Sequence, residues 1–116
     1  IEAFENEPIL ENVRELERVG TEKLGALADR FSQIGEARAV GGFQALEFVL
    51  DPESKERDPE LQHLVARKSC ESGILMDSSS TSLNIQPSLK MDPGQFGLAL
   101  DRVGDAVEAA VAELGR

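Results

Sequence analysis

From Pro8 onward, Ile9, Val13, Leu16, Leu24, Leu27 and Phe31 recur at helical spacing, with Gly20 occupying the step between Leu16 and Leu24. Residues three and four apart share one face of a helix, so this spacing predicts a long amphipathic helix. Its other face carries Glu11, Arg14, Glu15, Glu17, Arg18, Glu22 and Lys23, the mixed charge of a solvated surface. After Phe31 the period fails. Ala37 to Leu50 is mostly apolar and is interrupted by Gly41 and Gly42, which predicts two strands or one strongly bent strand.

The polar stretch DPESKERDPE leads into a second helix, with Asp58 as its cap, Pro59 in its first position and Leu61, Leu64, Val65 and the stem of Lys68 on its inner face. Gly73 is the expected stop, and Ile74 to Met76 the next short strand. Ser78 to Ser82 reads as a polar turn, and Leu83, Ile85 and Pro87 mark another extended segment, most simply joined to the previous one as a hairpin. A last helix is signalled by Asp92 as cap, Pro93 after it and Gln95 three residues on. Phe96, Leu100, Val103, Val107, Val111 and Leu114 follow in register, and Gly115 ends it. The order α-β-β-α-β-β-α calls for an α/β fold of the α+β kind, a two-layer sandwich with helices packed on a small, mainly antiparallel sheet.

Composition narrows the function classes. A chain of 116 residues, 41% hydrophobic and 29% charged, is sized for one folded domain with one core. A net charge of −10 opposes nucleic acid and anionic membrane surfaces, and no apolar run has the length to span a bilayer. The single Cys70 cannot form an internal disulfide, which suits a reducing, cytoplasmic setting. The chain opens on IEAF, where Ile1, Ala3 and Phe4 resemble the last turn of a helix, so a piece of a longer protein is expected.

The segment GEARAVGGFQALEFVL (Gly35 to Leu50), followed by ESGILMD, LNIQPSL and DPGQFGLALDRVGDAVEAAV in that order and at comparable spacing, resembles the C-terminal small domain of pyridoxal-phosphate-dependent class III aminotransferases, the group of 4-aminobutyrate and ornithine aminotransferases. The resemblance covers residues 1–116 as one small domain, with 1–34 as its leading helical segment. It implies a homodimeric parent enzyme that moves an amino group between an amine or amino acid and an oxo acid, with pyridoxal phosphate as electron sink. It also implies that the cofactor lysine and the acid facing the pyridine nitrogen belong to a large catalytic domain outside this chain. The piece alone is then expected to bind no cofactor, to supply no catalytic residue and to be inactive. The competing expectation is a free-standing ligand-sensing or protein-interaction module without catalysis.

Two residues carry the resemblance toward substrate. Arg38 matches a family arginine at the start of the first strand and reads either as an interface or substrate-side group or as one half of a structural salt bridge. Asn84 stands where the family commonly places an arginine before its x-x-P-P-L run, a fork suited to a substrate carboxylate. Ala39 and Ser88 are further departures from the family pattern. Other polar residues read as structural: Glu47 as an edge or ion-paired carboxylate, His63 as a surface residue without metal partners at ligand spacing, Cys70 as a plain helix-surface thiol, and the serine run as a turn.

Overall fold

The computed structural model describes residues 7–70, 75–79 and 82–116. Its first helix, α1 (Glu7–Arg30), starts one residue before Pro8 and buries Leu16, Val19, Leu24 and Leu27. Ile1, Ala3 and Phe4 lie outside the described residues. Gly20 has a specific reason to be glycine: a Cβ there would stand 1.9 Å from Gln44 Oε1. The missing side chain makes room for the buried Gln44 amide, whose Nε2 donates to the Leu16 carbonyl at 3.0 Å.

The glycine pair resolves into a hairpin. Strand β1 (Ile34–Val40) and strand β2 (Phe43–Phe48) pair antiparallel with Val40 opposite Phe43, so Gly41-Gly42 form a two-residue loop. Gly41 has φ +58°, a conformation that side chains resist, at the position type II′ turns reserve for glycine. Its N–H donates to Glu17 Oε2 of α1 at 2.6 Å, which ties the turn to the helix.

Helix α2 (Pro59–Lys68) starts as expected, with Asp58 accepting from the Leu61 N–H at 3.2 Å, and buries Leu61, Leu64 and Val65. Its cap at the C-terminal end is Ser69, earlier than expected; Gly73 and Ile74 lie outside the described residues. Lys68 keeps its side chain 30% exposed, and its ammonium pairs with Glu113 at 3.1 Å. Strand β3 (Leu75–Ser78) and strand β4 (Leu83–Gln86) form the second hairpin. The buried Gln62 amide of α2 clamps the turn between them, donating to Ser78 Oγ at 2.8 Å and to the Ser79 carbonyl at 2.7 Å.

Helix α3 (Pro93–Leu114) has the expected ends, with Asp92 Oδ2 accepting from the Gln95 N–H at 3.0 Å and Gly115 in the left-handed conformation. Gly104 helps set how near α1 comes, since a Cβ there would stand 2.9 Å from Leu27 Cδ2. The sheet order is β1-β2-β4-β3, every pair antiparallel, with the helices on one face. Strand residues alternate between faces. With a register shift between Ile34 and Glu36 that brings Ile34 to the same side as Ala37, Ile34, Ala37, Leu46, Phe48, Leu83 and Ile85 join Leu16, Leu24, Phe96, Leu100 and Val103 in one core, while the opposite face carries no described element. This is the α+β two-layer arrangement that the order of elements calls for.

Candidate functional site

The uncovered sheet face holds a depression of about 250 Å³ whose lining includes both sequence-derived candidates, Arg38 and Asn84. Register explains the meeting. Arg38 lies opposite Ala45, and Ala45 opposite Asn84, so the three point to one side of three adjacent strands. Ala45 is small and forms the floor between two longer neighbours. Val40 and Phe43, paired across the hairpin, border the depression at its tip, 69% and 75% exposed. Outside the depression, the two motif segments meet where a Cβ on Gly42 would stand 2.7 Å from Leu89 Cδ2, and Asn12 of α1 donates to the Leu89 carbonyl at 2.7 Å.

Arg38 is not an unengaged cation. Its Nη1 donates to Glu36 Oε2 at 2.6 Å and also bonds Glu47, and Glu47 is in turn 3.7 Å from Arg57. The hydrogen bond from Arg38 is the chief influence holding the Glu47 carboxyl below the ordinary glutamate range, the bond with Glu36 adds to it, and burial works the other way. The Arg38 guanidinium is raised correspondingly, first by Glu47. Glu47 is thus the ion-paired carboxylate expected from the sequence and not a proton-transfer group.

A carboxyl whose folded pKa is depressed adds stability above its unfolded pKa and loses it as pH falls through the folded value. Replacing Arg38 by leucine should therefore move the Glu47 titration up toward the ordinary range and weaken the acid-side fall in stability. Carboxyl-carbon NMR across pH 2–6 reads the shift, and an unmoved Glu47 titration would show that Arg38 does not control it.

Asn84 Oδ1 accepts from Ser82 Oγ at 2.8 Å, which leaves its N–H donors uncommitted among the described residues. No lysine lines the depression: Lys23 pairs with Asp101 at 2.8 Å, Lys68 with Glu113, and Lys55 reaches the Gly35 carbonyl at 3.3 Å. The lining of the depression thus does not fit a covalently held pyridoxal phosphate. His63 is exposed and bonds Ser78 Oγ at 2.6 Å, Cys70 is exposed, and no metal-ligating cluster exists among the described residues. Ser79 and Ser82 make a locally bonded turn, with Ser79 N–H to the Ser82 carbonyl at 2.9 Å. No helix among the described residues is long and apolar enough to cross a membrane. Sequence reasoning missed Gln44 and Gln62, buried amides that a linear reading places at the surface.

This fold has counterparts. No protein-family model matches the chain. A putrescine–pyruvate aminotransferase of Pseudomonas aeruginosa is 32% identical over 102 residues, spanning 81% of this chain and 22% of that protein. A PMP-bound aminotransferase of Vibrio fluvialis superposes with a TM-score of 0.82 at 28% identity, over 93% of this chain and 24% of that one. In sequence and fold, the chain corresponds to a domain-sized segment of the class III aminotransferases. A leucine/methionine racemase of Thermococcus litoralis is also similar, 27% identical across the whole chain and 26% of its own length. The chain spans about a quarter of the length of the proteins it matches.

Proposed function

We propose that this chain is the small domain, residues 1–116 with 1–34 leading in, of a cytoplasmic, homodimeric aminotransferase that moves an amino group between an amine or amino acid and an oxo acid. The observation that carries the reading is the 32% identity to an aminotransferase over four-fifths of the chain, and the convergence of Arg38 and Asn84 in one depression gives it a site. Pyridoxal phosphate, bound by the large catalytic domain, supplies the electron sink. The small domain contributes a wall. Arg38 and Asn84 are its substrate-facing groups, with Arg38 held in place by Glu36 and Glu47 and Asn84 offering N–H donors to an oxygen of the substrate.

The match to a racemase leaves two named reactions for a segment of this kind, and amino-group transfer is favoured by the higher identity. The chain alone is inactive in this reading, because a competent site needs the remaining three-quarters of the enzyme and a second subunit.

The test is to mix the isolated chain with pyridoxal phosphate, an amine and pyruvate, then reduce with borohydride and map adducts. The expected result is no turnover and no single labelled lysine. A stoichiometric adduct at one of Lys23, Lys55, Lys68 or Lys90, or turnover by the chain alone, would overturn the division of labour.

A further inference from the structure

Acidic residues outnumber basic ones 22 to 12 in this chain, so a cation without an acidic partner is the exception. Two such cations share one groove. Arg67, in the last turn of α2, and Arg102, on α3, are in no ion pair among the described residues. With Lys68, Ser69, Asp105 and Ala106 they line a groove of about 750 Å³ that shares no residue with the depression on the sheet face. Asp105 stands three residues after Arg102, a spacing at which helical ion pairs form, and still leaves it unpaired. The C-terminal end of α2 carries about half a negative charge, which accounts for a basic residue in its last turn. It does not account for Arg102, in the body of another helix. A second observation points to the same place. Ser69 is 2% exposed, and its hydroxyl has no hydrogen-bond partner among the described residues. Buried hydroxyls normally have one, so the orphan calls for a cause.

From these observations we infer that the groove between α2 and α3 binds a phosphate-class oxyanion, as inorganic phosphate or as the phosphate group of an ester. A phosphate presents oxygens in several directions, so it takes donors from two helices and a hydroxyl together. A carboxylate has two oxygens in one plane and is served by a single guanidinium fork. The lining holds three cations against one acid, so the groove stays positive after the partial charge at the end of α2 is set against it. Lys68 is shared with Glu113 at 3.1 Å, which leaves the two arginines as the principal groups for the anion. Ala106, small and buried, keeps the floor low, and the volume leaves room for the organic part of an ester.

The experiment titrates the 116-residue chain with inorganic phosphate, and separately with glycerol 3-phosphate, at fixed ionic strength, and follows backbone amide shifts by NMR. Saturable shifts at Arg67, Lys68, Ser69, Arg102 and Asp105 are expected, with a dissociation constant of about 1 mM or below. Replacing both arginines, Arg67→Gln with Arg102→Gln, should weaken binding about tenfold or more and leave the thermal midpoint in place, since both side chains are exposed. Ser69→Ala should weaken binding about threefold while stability without phosphate holds or rises, because the variant removes an unpartnered buried hydroxyl. Tighter binding of inorganic phosphate would assign the free ion, and equal or tighter binding of glycerol 3-phosphate an ester. Shifts that climb without saturation to about 20 mM phosphate, or that persist unchanged in the double arginine variant, would overturn the site. Neither probe forms an adduct with a lysine, so the outcome is separate from that of the aminotransferase reading.

Discussion

Replacing Phe48 by alanine should cost the fold about 3–5 kcal/mol, the range for deleting a fully buried aromatic ring. Phe48 is 1% exposed at the end of β2, opposite Ile34, and belongs to the core that Leu46, Leu83, Ile85 and the three helices share. The cavity cannot collapse easily, because the backbone on both sides is committed. The Phe48 carbonyl accepts from the Asp58 N–H at 3.0 Å and the Val49 N–H donates to Gln33 at 2.8 Å. Domains of this size are stable by only about 5–15 kcal/mol, so the loss removes a large share of the total. Urea denaturation should show a much lower midpoint with the slope unchanged, and a thermal midpoint lower by more than 10 °C at roughly 4 °C or more per kcal/mol. Phe48→Leu, which keeps most of the volume, should lose less than half as much. A Phe48→Ala loss below about 1 kcal/mol would mean that β2 does not anchor the core as described.

The elements were legible in the sequence because each has a local cause. Helix α3 shows this best: its cap, its proline and its closing glycine are set by backbone sterics and unpaired N–H groups at the helix start, and these act over three or four residues. The Gly41-Gly42 loop is local in the same sense. What lay beyond linear reading is whatever the pairing of distant segments creates. Gln44 reads as a polar surface residue because nothing nearby in sequence predicts that Gly20 opens a space for its amide. Arg38 and Asn84, 46 positions apart, were picked separately by resemblance, and only the β2–β4 pairing brings them to one depression. Asp77 is another case: its place opposite Asn84 depends on the β3–β4 register.

Asp58 is the second position where one substitution should have a large effect, because its carboxylate serves two parts of the chain. It is 2% exposed, caps α2 through the Leu61 N–H, and receives the Arg116 guanidinium, with Nε at 2.7 Å from Oδ2. Arg116 also reaches Glu60 at 2.8 Å, so the end of α3 is tied to the beginning of α2. The guanidinium pKa is raised, first by its hydrogen bond to Asp58. Asp58→Ala removes the cap and leaves a buried N–H without its acceptor, a loss of about 2 kcal/mol at the upper end of measured caps. Asp58→Asn separates the two roles. Asparagine caps a helix about as well as aspartate but carries no charge for Arg116, so this variant should recover most of the stability while hydrogen exchange at residues 111–116 stays faster than in the unaltered chain. Equal losses in the two variants would assign the effect to the charge pair and not to the cap. No loss in either would remove Asp58 from the set of residues that join α2 to α3.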